Sequence, residues 1–182
     1  MELTNEIRIR APRERVFAAL QDPIILRQAI PGCETLEAIS PTEFTATVSA
    51  KIGPLAATFK GAVSLSDINP PASYSVSGEG KGGPAGFAKV RAQVNLLADG
   101  DETVLSYQVK ADIGGKLGQL GGPLVDRTAQ KLAGEFFQKF EILVGEPSKI
   151  ALPSGPPVRR RPRLWFTGAA IVFALIWYLA NH

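Results

Sequence analysis

Six stretches of this chain alternate apolar and polar residues with period two, and no other feature restricts the fold as much. That period puts successive side chains on opposite faces of the backbone, so each stretch reads as a half-buried strand. In 44–52, Phe44, Ala46, Val48, Ala50 and Ile52 oppose Thr45, Thr47, Ser49 and Lys51. In 59–65, Phe59, Gly61, Val63 and Leu65 oppose Lys60 and Ser64, and in 73–81, Tyr74, Val76, Gly78 and Gly80 oppose serines, Glu79 and Lys81. In 89–96, Val90, Ala92, Val94 and Leu96 oppose Lys89, Arg91, Gln93 and Asn95. In 103–113, Leu105, Tyr107, Val109, Ala111 and Ile113 oppose Ser106, Gln108, Lys110 and Asp112. The opening stretch sets Leu3, Ile7 and Ile9 against Glu6, Arg8 and Arg10. Strands with one wet and one dry face belong to an antiparallel sheet. Asn69-Pro70-Pro71 and Asp99-Gly100-Asp101 supply turns between them.

Two short helical stretches, Pro12–Leu20 and Pro23–Ile30, follow the first strand, with Pro12 suited to a first helical position. After the last strand a glycine-rich passage, 114–122, leads into a long helix opening at Pro123. Its apolar positions Val125, Ala129, Leu132, Phe136, Phe140 and Leu143 form one helical stripe, and Gly145 is placed to end it. A curved sheet needs its dry face covered, and this helix is the element long enough to do it. The dry face is unusually small: Ala46, Ala50, Gly61, Gly78, Gly80, Ala92 and Ala111 all point inward. Small residues fit either close helix packing or a cavity for an apolar ligand, and the pattern alone leaves both open.

The rest of the chain differs in composition. Residues 147–182 contain Lys149, Arg159, Arg160, Arg161 and Arg163 and no acid, while residues 1–146 carry 15 basic and 17 acidic side chains. A domain at net −2 lacks the clustered Lys/Arg that nucleic-acid binding requires. From Leu164 to Ala180 there is no charge; these 17 residues would span roughly 25 Å as a helix, at the short end for a bilayer core. Eight of them are Leu, Ile, Val or Phe, worth roughly −2 to −5 kcal/mol for insertion. Trp165 near one end and Trp177 and Tyr178 near the other suit the two interfacial belts. The stretch reads as one transmembrane helix. Arg159, Arg160, Arg161 and Arg163 stand just before it, where they would face anionic headgroups and hold the domain in the cytoplasm. The expected organisation is a domain over 1–146, a Pro/Arg-rich linker over 147–163 and a single-pass anchor over 164–180. The N-terminal residues show no basic or apolar signal region.

Catalytic chemistry finds few residues to use. The one histidine is His182, beyond the apolar run, so a Ser-His-Asp triad and histidine-ligated metal sites are not expected. Cys33 is the single cysteine, which rules out an intrachain disulfide; with no histidine to activate it, it reads as a small buried hydrophobe. Gly78–Gly83 matches G-x-G-x-x-G, but a dinucleotide fingerprint needs a helix next, and here another strand follows near Phe87. Glu6, Glu79 and Asp112 fall on wet faces, and Asp126 and Arg127 lie off the helix stripe. Tyr74, Tyr107 and Thr128 approach the interior, where their hydroxyls either meet a carbonyl of a bound molecule or fill core positions.

Several motifs carry a further resemblance. Pro31-Gly32-Cys33-Glu34, Ile52-Gly53-Pro54, Phe59-Lys60-Gly61, the passage from Val109 to Gly122 and Ala133-Gly134-Glu135-Phe136-Phe137 resemble the G-subunit family associated with molybdenum-containing carbon monoxide dehydrogenase. The resemblance spans residues 1–146. It implies an α+β, helix-grip (START-like) fold: a curved antiparallel sheet wrapped on the long C-terminal helix, with a deep apolar pocket. It also implies a non-enzymatic accessory role beside a molybdenum hydroxylase-type dehydrogenase at the cytoplasmic membrane. The expected partners are that dehydrogenase, membrane lipid and an apolar small molecule. A respiratory quinone, menaquinone or ubiquinone, fits that place best, held without a covalent bond and without metal. The expected lining is Phe44, Val48, Phe59, Val63, Tyr74, Val76, Phe87, Val90, Tyr107, Val109, Leu124, Thr128 and Leu132. Two other readings stand beside it: a purely structural membrane adaptor with Phe44, Phe59 and Leu124 filling the core, and a cyclase or isomerase acting on an apolar substrate.

Overall fold

The computed structural model describes residues 2–145. The elements run β1 (Glu2–Ile9), α1 (Arg13–Ala19), α2 (Pro23–Ala29), β2 (Cys33–Ser40), β3 (Glu43–Ile52), β4 (Leu55–Asn69), β5 (Ser73–Lys81), β6 (Phe87–Asp99), β7 (Glu102–Gly114) and α3 (Gly122–Gly145). Single 3-10 turns occupy Gly83–Ala85 and Gly118–Leu120. The seven strands form one antiparallel sheet in the order β1-β7-β6-β5-β4-β3-β2. β1 and β2 are therefore opposite edges, and α1 and α2 carry the chain between them.

The alternation anticipates six of these strands and overlooks β2. Two register shifts, between Cys33 and Thr35 and between Ala38 and Ser40, break its period, and Leu36 alone on it is buried. Bulged edge strands lose alternation because the extra residues turn side chains across the sheet. β3, β4, β6 and β7 run beyond their alternating cores; β4, read over 59–65, extends from Leu55 to Asn69, while β5 keeps its expected bounds, Ser73–Lys81.

Pro12 stands one place earlier than expected, at the N-cap of α1 with an extended ψ of 145°. α2 begins as its sequence dictates: the Asp22 carboxylate accepts from the backbone N–H of Ile24 at 2.8 Å and Ile25 at 3.4 Å, with Pro23 next. α3 buries Val125, Ala129, Leu132, Ala133, Phe136, Phe137, Phe140 and Val144. Leu143, assigned to the stripe, is half-buried and Val144 takes its place. The buried stripe is wider than one apolar row because the sheet curves around the helix and the backbone of α2 packs against it.

One end of this grip is closed. α1 packs on β6, β7 and α3, and the Phe17 ring meets Tyr74 edge-on at 5.8 Å. The buried Thr103 hydroxyl donates to the Ala11 carbonyl at 2.7 Å, tying β7 to the start of α1. Thr103→Val keeps the shape but orphans that carbonyl, and should cost roughly 1–2 kcal/mol in chemical denaturation. The expected transmembrane helix lies outside the described residues, as do Arg159, Arg160, Arg161, Arg163, Trp165, Trp177 and Tyr178. Among the described residues no helix is long and apolar enough to cross a membrane.

Candidate functional site

The interface between the inward face of the sheet and α3 changes character along its length. The strand register sets inward residues in cross-strand rows. Near the closed end one row reads Tyr74, Val94, Tyr107, and the next Leu96, Leu105. About 20 Å away along the strands a second row reads Leu36, Ala46, Gly61, Gly80, Ala88, Ile113. α3 follows the same gradient: Phe136, Phe137 and Phe140 lie in its second half, Val125 and Ala129 in its first. Large aromatic groups thus fill the closed end, and small side chains line the middle of the other.

That other end is covered by loops. The β3–β4 hairpin extends past the end of β5, and a Cβ on its tip residue Gly53 would stand 3.3 Å from Leu124 Cδ2 on the first turn of α3. Phe59 lies across Gly82, where a Cβ would fall 2.0 Å from its ring. The passage into α3 is pinned by the Leu117 N–H donating to the Ala85 carbonyl at 3.0 Å. Inward-facing Ala50, Leu55, Ala57 and Ile113 are only half-buried here, while Leu36, Ala46 and Ala88 behind them are buried.

Among the described residues four buried side-chain polar atoms lack a hydrogen-bond partner: Arg13 Nε and Gln21 Nε2 on and just after α1, and two on the inward face of the sheet. The Tyr74 and Tyr107 hydroxyls are buried without a hydrogen-bond partner among the described residues. They occupy one row two strands apart, about 10 Å between Cα positions. Tyr107 stacks on Phe137, ring centroids 5.6 Å apart. Burial pushes the Tyr74 phenol well above its ordinary value. It also raises Tyr107, against an opposing pull from the Asn5 side chain, which does not complete a hydrogen bond of normal geometry. Both phenols therefore stay neutral and able to donate. A buried hydroxyl without a partner costs roughly 1–3 kcal/mol, so an acceptor placed within reach of either phenol would be stabilising.

Of the expected lining, Phe44, Val48, Phe59, Val63, Tyr74, Val76, Val90, Tyr107, Val109 and Leu132 are buried in one core cluster. Leu124 and Thr128 are half-buried on α3, and the Thr128 hydroxyl donates to the Leu124 carbonyl at 3.1 Å, which takes up the donor expected to face a ligand. Phe87 is a correction. It shares parity with Lys89 and Arg91, is 41% exposed and rests over Gly114 on the outer face, so it does not line the interior. Cys33 is half-buried rather than buried, its thiol donating to the Thr35 carbonyl at 3.4 Å; burial raises its pKa, with Arg27 opposing. Sequence reasoning missed Phe17 and Phe137, the rings that brace the two tyrosines. Phe137 stands one step off the stripe, and Phe17 sits on a helix too short to show a period.

No curated protein matches the chain. Among solved structures, a conserved protein from Geobacillus kaustophilus is 28% identical, with a TM-score of 0.75 over 79% of this chain and 95% of that one. A START superfamily protein from Mycobacterium smegmatis has a TM-score of 0.60 at 15% identity, over 79% of this chain and 96% of that one. The Zhui aromatase/cyclase from Streptomyces sp. R1128 has 0.62 at 12%, over 83% and 97%. At such identities the last two show the fold alone: a curved open antiparallel sheet with a C-terminal helix, START-like. Residues 6–145 match the CoxG family, the G-subunit of carbon monoxide dehydrogenase, from the second half of β1 to the end of α3, and the chain belongs to that family.

Proposed function

We propose that this chain is a membrane-tethered accessory protein and not itself an enzyme. It recruits a molybdenum-containing carbon monoxide dehydrogenase, or a related hydroxylase, to the cytoplasmic membrane. Its domain binds an apolar carrier, a respiratory quinone of the menaquinone or ubiquinone type, through which electrons pass to the respiratory chain. Family membership supports the dehydrogenase, and the uncharged run 164–180 behind its arginines supports the membrane. The observation that carries the ligand is the pair of partnerless phenols, Tyr74 and Tyr107, set among the apolar side chains of the core. A quinone fits that donor set, because it presents carbonyl acceptors on a ring that stacks among aromatic side chains and carries a long apolar tail. When bound it supplies the redox chemistry; the chain's residues bind it, orient it and exclude water.

The test is organic extraction of the full-length protein purified in detergent, followed by titration with a quinone. Finding neither co-extracted quinone nor binding rejects the ligand. Deleting residues 160–182 should release the dehydrogenase from membranes, and its retention rejects the tether. Tyr74→Phe should act in two directions. Without ligand it removes an unsatisfied buried hydroxyl and should raise stability by about 1 kcal/mol. Quinone affinity should fall roughly five- to tenfold, the worth of one hydrogen bond, as read in the same titration.

A further inference from the structure

We propose that the loop-covered end of the domain is a lipid-contacting face, docking on the anionic headgroups of the bilayer that holds the tail; this rests on the membrane-tether reading above. Three exposed cations ring that end: Lys51 before the β3–β4 tip, Lys116 in the passage after β7, and Arg127 on the first turns of α3. None of the three side chains has an ion pair or hydrogen bond among the described residues, whereas Asp126, the acid beside Arg127, already has a partner. Between them the same end presents Pro54, Leu55, Pro84, Phe87 and Leu120, exposed or half-buried. Unpaired cations around accessible apolar side chains suit an interface of headgroup phosphates over acyl chains. At the closed end the β6–β7 turn is acidic instead: it holds Asp99, Asp101 and Glu102, with Arg8 pairing only the first and last.

Chain length makes the orientation possible. α3 starts at the loop end and finishes at the closed end, where a Cβ on Gly145 would lie 3.8 Å from the Arg10 carbonyl. Its 24 residues are about 36 Å long. Residues 146–163, rich in proline, would reach roughly 55 Å at about 3.1 Å per residue. The connection can therefore return along the whole domain and still place the loop end on the bilayer.

The full chain, carrying Cys33→Ser and a fluorophore through either Pro84→Cys or Asp101→Cys, is reconstituted into vesicles of phosphatidylcholine and phosphatidylglycerol with brominated acyl chains. Quenching at position 84, weakened by high salt or by omitting phosphatidylglycerol, with none at position 101, is the expected result. Each unpaired cation is worth roughly a fivefold change in occupancy at an anionic surface, so Lys51→Glu, Lys116→Glu and Arg127→Glu together should abolish quenching while the chain still sediments with the vesicles. Removing residues 147–156 leaves a linker of about 25 Å, shorter than α3, and should do the same without touching the domain. Equal quenching at 84 and 101, or quenching that survives either variant, overturns the proposal while leaving the tether standing. Failure to sediment with vesicles at all overturns the tether itself, and the docking face with it.

Discussion

Gly86→Ala should destabilise the domain by roughly 3 kcal/mol or more, lowering its melting temperature by about 10 °C. Gly86 follows the 3-10 turn at Gly83–Ala85 with φ of 120° and ψ of −151°, a conformation that a Cβ makes costly. A Cβ there would fall 2.0 Å from the Gly114 carbonyl oxygen. The Cβ is held rigidly by its own Cα and the oxygen is backbone, so no side chain can swing aside: either the turn or the end of β7 must move. Moving them strains the neighbouring bond from Gly82 N–H to the Gly86 carbonyl, 2.9 Å, and the one from Leu117 to Ala85. Gly83 provides the control. Its φ is also positive, at 57°, but a Cβ there meets nothing within 4 Å, so Gly83→Ala should cost only about 1 kcal/mol. Parallel guanidinium unfolding of the two variants, followed by circular dichroism, measures the difference. A gap below about 1 kcal/mol would mean that the two loops do not meet as closely as described.

This close approach is one of the features that the residue pattern cannot display. Glycines at 82, 83, 86, 114 and 115 look alike in the sequence, yet a Cβ at Gly82, Gly86, Gly114 or Gly115 would collide while one at Gly83 would not. Which glycine is indispensable depends on contacts between segments some 30 residues apart, and no local period encodes those. Strands β3 to β7 were legible because each has one buried face, so burial writes itself into every second residue. β2 was not, since its bulges shift the face it presents. Among site residues, Tyr74 and Tyr107 were legible by parity alone. Their lack of partners was not, because satisfaction of a hydroxyl depends on what the opposite wall offers. Phe87 was misplaced by treating an aromatic at a strand start as inward, although its parity with Lys89 and Arg91 already set it on the outer face.

Ala46→Leu should leave the fold within about 1 kcal/mol of the parent while reducing quinone retention by at least roughly tenfold. Ala46 lies in the row with Gly61, Gly80 and Ala88, facing the half of α3 that presents Val125 and Ala129. If that row borders space for a ligand, three added carbons occupy the space and displace the ligand without forcing backbone apart. Ala92 faces the same interior in a different row, between Val76 and Val109, with Leu65 and Leu3 beyond. Large neighbours leave no slack there, so Ala92→Leu should cost roughly 1–3 kcal/mol by overpacking. The pair separates a carrier from a purely structural adaptor. In an adaptor the small row exists only to let helix and sheet approach, and Ala46→Leu must then cost as much as Ala92→Leu. In a carrier the two diverge: position 46 changes ligand content measured by organic extraction, position 92 changes the unfolding midpoint. Equal destabilisation at both positions, with membrane association of the dehydrogenase intact, would assign the interior to packing and leave the chain's function to its surface and its tail.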